Sequence, residues 1–212
     1  MANFAAQHKE NRLEMLKLQT PVADEKCRVG ISYEDKIMML GSCFSDNIGR
    51  MMSEYGFDVC VNPFGTLYNP MSILNSIERL IQGRRFMKDD CVMIGAGGER
   101  YCSFHHHTSF SAGTMEDFLN KANDALDKAS EFFRRCNKVI ITLGTSWCYR
   151  HIGKNMIVSN CLKHPASEFS RELLPVELIG TYLEGMTEAC RDKEFIFTVS
   201  PIRHFKDGAH GN

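Results

Sequence analysis

The sequence predicts an α/β fold with a mostly parallel sheet. Apolar segments of strand length alternate along the chain with segments that have the apolar periodicity of helices. Strands that are apolar along their whole length are typical of parallel sheets, because helices cover both faces of such sheets. Polar clusters follow four of these strands, directly after Leu40, Val61, Leu143 and Val199. Since ligands of open α/β sheets bind at the carboxyl ends of the strands, we expect the functional site there.

Length and charge narrow the class of protein. The 212 residues suffice for one domain with a sizeable core, and we expect an N-terminal arm over 1–30 followed by a domain over 31–212. The formal net charge of −1 predicts no nucleic-acid partner. No apolar run is long enough to span a bilayer, so we expect no membrane partner either. Nothing in the composition predicts an oligomeric state.

The cysteines and the N-terminus predict a compartment. The nine cysteines are scattered singly without a CxxC pair, which is typical neither of a disulfide framework nor of a zinc ribbon. The first residues lack the basic and then apolar order of a secretory signal. We therefore expect a cytoplasmic protein with reduced thiols. Four of the cysteines in particular are expected to serve as small buried hydrophobic residues: Cys60, Cys91, Cys136 and Cys190.

The elements of the first half follow from periodicity and from glycines. An amphipathic pattern predicts a peripheral helix over 10–18. Apolar runs predict three strands, near 27–31, over 36–40 and over 57–61. The helix after 36–40 should end at Tyr55 and Gly56, because glycine suits the position just past a helix. Two Asn-Pro steps predict a shaped loop over 62–70.

The second half continues the alternation. Helices are predicted over 72–81, stopped by Gly83, over 115–135 and over 175–191. Buried strands are predicted over 138–143 and over 194–199, the latter ended by Pro201. The stretch over 84–113 is predicted to be the least regular part, with a flexible turn at 95–98 and a polar-aromatic strand or loop over 103–111. The segment over 153–164 is predicted to be irregular.

The stretch Gly41-Ser42-Cys43 is the first candidate site. An apolar strand meets a glycine turn and then a helix start, for which Ser45, Asp46 and Asn47 are suitable caps. This geometry lifts a nucleophile above a parallel sheet, and the N–H groups and dipole of a helix start favour a thiolate at Cys43 or an oxyanion nearby. Cys43 and Ser42 are therefore the two candidate nucleophiles. An ordinary strand-to-helix turn without a nucleophile has the same local pattern, so this alternative stays open.

The histidines supply candidate bases. Consecutive residues of a strand point to opposite faces, so at most two of His105, His106 and His107 can share a site, and we expect His106 or His107 to line the pocket. No histidine spacing suggests a metal site. His204 follows the last strand, and Asp207 and His210 have the spacing by which a carboxylate orients a histidine base.

Small polar residues after the strands are candidates for the oxyanion hole. Their backbone or side-chain N–H and O–H groups can bind a developing negative charge. Plain turn chemistry explains the same residue types. The candidates are Asn62, Gly65, Gly144, Thr145 and Ser146.

Five blocks of the sequence, in order, resemble the GSCFA family. Residues 41–45 resemble its signature, with Ser45 where the family usually has alanine. The loop at 62–70 resembles an N-P-F-G-x-x-Y-N-P block. Further similar blocks are His106-His107 with 109–111, 141–147 and 200–212. The resemblance covers nearly all of residues 30–212.

This resemblance implies a fold and a reaction class. The family is grouped with the SGNH (GDSL-like) hydrolases, which implies a three-layer α/β/α sandwich with a mostly parallel, flavodoxin-like sheet. Cys43 would take the place of the nucleophile and Ser42 that of the aspartate in Gly-Asp-Ser, so the site acts through the thiol, through Ser42 or not at all. Gly65 would match the glycine that follows the second strand, and Gly144 would open the Gly-x-Asn-Asp block, here without its oxyanion asparagine.

The C-terminal block carries the expected base. Asp207 and His210 fit the family's catalytic spacing, but similar proteins continue past Asn212 to a second Asp-x-x-His-Pro segment. We therefore expect a chain truncated at its C-terminus, with the base in either place.

Two functions follow from these expectations. The first is an esterase or acyltransferase that acts on an acyl ester, in particular acetyl, of a carbohydrate or small metabolite, without metal or cofactor. The second is a non-catalytic SGNH-like module that binds a glycan or an acyl ligand. The departures at Ser42 and at Ser146 favour the second, and the polar clusters at four strand ends favour the first.

Overall fold

The computed structural model describes residues 29–95 and 97–200. The helix expected over 10–18 and the candidate residues His204, Asp207 and His210 lie outside this range, as does the expected arm up to residue 28. Of the strand expected near 27–31, residues 29–31 are described and do not form a strand.

The described residues contain helices and strands in alternation. The α-helices are α1 (Cys43–Glu54), α2 (Pro70–Gln82), α3 (Met115–Arg135) and α4 (Val176–Ala189). The first strands are β1 (Lys36–Gly41), β2 (Asp58–Val61), β3 (Val92–Met93), β4 (Tyr101–Cys102) and β5 (Lys138–Leu143). The later strands are β6 (Trp147–His151), β7 (Met156–Val158), β8 (Phe169–Leu173) and β9 (Glu194–Val199).

A parallel sheet forms the centre of the fold. Its strand order is β2-β1-β5-β9, and every pairing within it is parallel. The predicted α/β fold with a parallel sheet is therefore confirmed. Gly41 pairs with Thr142, and β2, β5 and β9 end at Val61, Leu143 and Val199. The polar segments that follow the strands consequently start from one edge of the sheet.

Helices pack on both faces of this sheet, because alternate side chains of each strand point in opposite directions. Ile37 and Met39 of β1 belong to a small cluster with Ile48 and Met52 of α1. Met38 and Leu40 belong instead to the main core. That core also contains apolar residues of α2, α3 and α4, among them Ile73, Ile77, Phe118, Leu126 and Met186.

Local sequence signals place the helix ends close to their predicted positions. Helix α2 starts at Pro70, two residues before the predicted start, because the Asn69 side chain accepts a hydrogen bond from the Ser72 N–H at 2.8 Å. It stops where expected, at Gly83 with a left-handed φ of 60°. The bounds of α3 match the prediction at both ends.

Two sequence predictions about strands are wrong. β9 is not fully buried: Phe197 is 40% exposed and Val199 is 76% exposed, because within the described residues β9 pairs only with β5. The segment over 153–164 is not wholly irregular, since it contains β7. β7, β6 and β8 form an antiparallel sheet that the sequence did not predict.

No helix in the described parts of the chain has the length and apolar character needed to cross a membrane.

His106 lies in the core, not at the strand ends. Its side chain is fully buried among four phenylalanine rings, whose centroids lie 4.5–5.4 Å away: Phe64, Phe86, Phe110 and Phe118. Ser103 Oγ accepts the His105 N–H at 3.2 Å and lies 2.7 Å from His106 Nδ1, so its hydroxyl can donate to this nitrogen. His106 Nε2 has no hydrogen-bond partner within the described residues. Burial, with smaller effects of nearby positive groups, holds the pKa of His106 well below its usual value.

Acid should therefore destabilise the fold through this histidine. Folded His106 stays neutral while unfolded His106 takes up a proton below about pH 6.5, so the free energy of unfolding should fall by roughly 1 kcal/mol for each pH unit below that value. His105, whose pKa burial lowers to about 4, adds a loss in the same direction. Urea denaturation at pH 7 and pH 5 measures this loss, which should be smaller in His106→Leu. Equal losses in the variant and the wild type would contradict the assignment.

Candidate active site

Gly41 makes the sharp turn that carries the candidate nucleophile. Its φ is +135°, and a Cβ at this position would lie 2.2 Å from the Thr142 carbonyl oxygen of β5. The Ser42 N–H donates to the same oxygen at 3.3 Å. A side chain at residue 41 would therefore push β1 away from β5, so the close turn from β1 into α1 requires glycine.

Ser42 and Cys43 have different surroundings. Ser42 is only 4% exposed, and its Oγ accepts the Phe44 N–H at 3.3 Å as the N-cap of α1. Cys43 is the first residue of α1 and is exposed. The prediction that residues 45–47 cap this helix is wrong, because the chain enters the helix directly after Ser42; the Ser45 hydroxyl lies 3.2 Å from the Leu40 carbonyl oxygen and donates to it. Of the two candidate nucleophiles, the thiol is the accessible one.

The Asp46 carboxylate connects α1 to the loop that follows β2. Its Oδ1 accepts a hydrogen bond from Asn62 Nδ2 at 2.6 Å, and its Oδ2 accepts one from Thr66 Oγ1 at 2.7 Å. Asn62 Oδ1 in turn accepts the Gly41 N–H at 2.8 Å. Asn62 adopts a left-handed φ of 40°, which asparagine tolerates better than most residues. The Asn62 side chain therefore positions the turn, with Oδ1 and one N–H of Nδ2 engaged within the fold.

Backbone N–H groups at the predicted oxyanion positions are engaged within the fold. Gly65 donates to the Asn62 carbonyl oxygen at 2.8 Å. Gly144 and Thr145 both donate to the Tyr68 carbonyl oxygen, at 3.0 and 3.1 Å. The Cys43 N–H differs from these groups, because the first N–H of a helix has no acceptor within the helix. This N–H belongs to the same residue as the thiol and is therefore a candidate donor to an oxyanion.

Tyr68 supplies a second donor. Its side chain is 43% exposed, and the negative charges of Cys43 and Asp46 act on its hydroxyl. Burial first, and then these two charges, raise the pKa of Tyr68 above its usual value. The phenol therefore stays protonated at neutral pH and remains able to donate a hydrogen bond.

The sequence was also compared with models of known protein families. The family model described as the GSCFA family matches residues 36–212. The chain belongs to the GSCFA family. Neither a search of curated proteins nor a search of solved structures found a match.

The two adjacent histidines of this GSCFA chain, His106 and His107, lie in different surroundings. His107 is half-buried and lies against Gly65, where a Cβ would be 2.4 Å from the His107 Cβ. The Ser109 N–H donates to His107 Nδ1 at 3.3 Å, so a neutral His107 ring carries its proton on Nε2. His107 therefore lies beside the loop that follows β2, whereas His106 lies in the core. The structure records no hydrogen bond between His107 and Cys43 among the described residues.

The polar groups of Ser146 and Thr145 that the structure shows in hydrogen bonds are engaged within the fold. The Ser146 carbonyl oxygen accepts the Leu174 N–H at 3.0 Å, which joins the end of β8 to the segment after β5. Thr145 Oγ1 accepts the Trp147 N–H at 3.1 Å. In the part of the chain that the structure describes, no three His, Cys, Asp or Glu side chains are grouped so that they could hold a metal.

Three residues of this site escaped sequence reasoning. Asp46 and Thr66 are joined by a hydrogen bond across 20 residues, and Tyr68 follows Thr66 in the same loop. One signal was available: Asp46 lies three residues after Cys43, so the two share a helix face. The conformation of the loop after β2 carried no such signal.

Burial separates Cys43 from the other described cysteines. It raises the pKa of four of them to about 11: Cys60, Cys102, Cys136 and Cys148. It also raises the pKa of Cys91, Cys161 and Cys190. Cys43 is the exposed thiol among the described residues, and it stands at a helix start.

The Asp46 network should contribute measurably to stability. In Asp46→Asn, an amide NH₂ replaces one of two acceptor oxygens and faces a donor, so we expect a loss of about 1–3 kcal/mol in the free energy of unfolding. Glu54→Gln removes the same charge from α1, where Glu54 forms only an exposed ion pair with Arg50, and should cost less than about 0.5 kcal/mol. Urea denaturation measures both. Similar losses in the two variants would argue against the network.

Cys43 should be the first thiol alkylated. Cys27 lies outside the described residues, so the experiment uses Cys27→Ser as its background. At pH 7.5, iodoacetamide should modify Cys43 at least tenfold faster than any of the seven others, because only the thiolate reacts and theirs is suppressed by burial. Peptide mass spectrometry over time gives the individual rates, and uniform slow labelling would count against an accessible thiol.

Proposed function

We propose that this chain is an SGNH-like esterase or acyltransferase that acts on an acyl ester, in particular acetyl, of a carbohydrate or small metabolite. The carrying observation is the exposure of Cys43 at the first residue of α1, beside a serine that is buried as the helix cap. The packing of α1 on one face of the sheet and of α2, α3 and α4 on the other supports the three-layer SGNH-like sandwich. The chain is proposed to act in the cytoplasm, where its thiols stay reduced.

The proposed reaction begins when a histidine takes the proton of the Cys43 thiol. The resulting thiolate attacks the ester carbonyl carbon, and the Cys43 N–H and the Tyr68 hydroxyl are the proposed donors to the oxyanion. The histidine then gives the same proton to the alcohol as the carbon–oxygen bond breaks. Water, or a second alcohol in a transferase, then cleaves the thioester and restores the thiol. His210, oriented by Asp207, and His204 are the proposed bases.

A second function has one specific observation in its favour. The backbone N–H groups of Gly65, Gly144 and Thr145 are bonded within the fold, so these positions offer fewer free donors than an oxyanion hole of several N–H groups needs. A non-catalytic module that binds a glycan or an acyl ligand needs no such hole.

Hydrolysis of p-nitrophenyl acetate tests the first function and names the nucleophile. Cys43→Ala should lower kcat/KM at least a hundredfold, because the attacking atom is lost. Ser42→Ala should retain most of the activity and lose about 1 kcal/mol of stability, because it removes a helix cap. Activity that is lost in Ser42→Ala alone would make Ser42 the nucleophile. Absence of hydrolysis in folded wild-type protein would favour the binding module.

A further inference from the structure

An apolar groove lies between α2 and α4, outside the residues assigned above to catalysis. It consists of two cavities of about 290 Å³ and 300 Å³. Both cavities are lined by Met71, Asn75 and Tyr182, so they form one continuous groove, which we call the α2–α4 groove. Volumes of this order are typical of sites for small ligands.

The inner cavity of the α2–α4 groove has apolar walls. Leu74, Ile77 and Ile81 of α2 face Met186 and Ala189 of α4 across it. Ile81 is 51% exposed and Tyr182 is 46% exposed, so large apolar side chains border an open space. Glu78 is the only charged side chain that lines this cavity. Such a lining suits a hydrocarbon chain and offers few partners to a sugar or a phosphate.

Backbone hydrogen bonds join the outer cavity of the α2–α4 groove to segments of the candidate active site. This cavity is lined by Met71, in the first turn of α2, and by Leu174. The Leu174 N–H donates to the carbonyl oxygen of Ser146, the residue after Thr145. Thr145 is bonded to the carbonyl oxygen of Tyr68, three residues before Met71. The outer end of the groove and the Tyr68 side of the site are therefore built from the same two segments.

The polar groups of the outer cavity are consistent with the carbonyl end of an ester. Arg150 lines this cavity, and its Nε donates to the Glu172 carboxylate at 3.0 Å, so its charge is largely compensated. Asn75 lines both cavities and offers an uncharged amide. Polarity thus decreases from the outer cavity, near the site, to the inner cavity. An acyl ester has the same gradient, from its polar carbonyl group to its apolar tail.

We propose that the α2–α4 groove binds the acyl chain of the substrate, for which octanoyl is the test chain. The inference rests on the proposed function, since it takes Cys43 as the group that attacks the carbonyl carbon of the bound ester. It extends that function by assigning the apolar part of the substrate to α2 and α4. Acetyl esters would then react without using the groove.

Two glycines of α4 provide a matched pair of variants. Gly185 lines the inner cavity, and a Cβ there would meet no atom within 4 Å, so Gly185→Leu fills the groove without a clash at Cβ. Gly180 lies on the same helix outside both cavities, and a Cβ there also meets nothing within 4 Å. Both changes raise helix propensity, so both variants should remain folded, and melting curves check this.

The experiment measures octanoate binding by calorimetry and the hydrolysis of p-nitrophenyl octanoate and p-nitrophenyl acetate. Wild type and Gly180→Leu should bind octanoate and prefer the octanoate ester. In Gly185→Leu, octanoate affinity and the octanoate-to-acetate ratio of kcat/KM should each fall at least tenfold. Equal octanoate affinity in all three proteins, or no binding to the wild type, would overturn the proposal.

The two parts of the experiment separate this inference from the proposed function. Octanoate binding that only Gly185→Leu weakens, without hydrolysis of either ester, supports the groove as an acyl-chain site and rejects the esterase. Cys43-dependent hydrolysis of the acetate ester without octanoate binding supports the esterase and rejects the groove.

Discussion

The Asp46 carboxylate holds together the three segments from which the candidate site is built. One oxygen accepts a hydrogen bond from Asn62 and the other accepts one from Thr66, while Asn62 itself accepts the N–H of Gly41. The end of β1, the first turn of α1 and the loop after β2 are thereby fixed to one another. A partly buried hydrogen-bond network of this kind favours one arrangement, because each member loses its partner if another is moved.

The arrangement determines which group is offered to a substrate. With Gly41 pressed against the backbone of β5, the next residue, Ser42, points inward as the helix cap, and Cys43 emerges at the surface. Tyr68 lies in the same loop that Asp46 fixes, and its phenol stays protonated at neutral pH. The turn after β1 thus presents a soft nucleophile with its own backbone N–H, and the loop after β2 carries the Tyr68 hydroxyl.

The fold was more predictable than the site, and the reasons are physical. β1, β5 and α3 are long and strongly patterned, so local periodicity was enough to place them. The antiparallel sheet was missed because its pairings, such as His151 with Phe169, join polar segments that lack the alternation of a strand with one buried face. The contact of Asn62 with Asp46 was not predicted for a related reason: the two residues are 16 positions apart, and only the folded chain brings them together. His106 illustrates the limit of the alternation argument, because residues 105–107 form no strand in the structure and His106 is buried in the core.

The contact between Gly41 and Thr142 also bears on synthesis of the chain. The Ser42 N–H is bonded to the carbonyl oxygen of Thr142, and the Lys36 N–H is bonded to Asn137, 101 residues further along. Closing so long a loop costs entropy before any pairing compensates for it. When the ribosome has synthesised the chain only through α1 and β2, the residues of the turn at 41–43 are already present. The strand β5, against which this turn packs, is not yet synthesised. The nascent protein acquires this geometry only after β5 has emerged and docked beside β1.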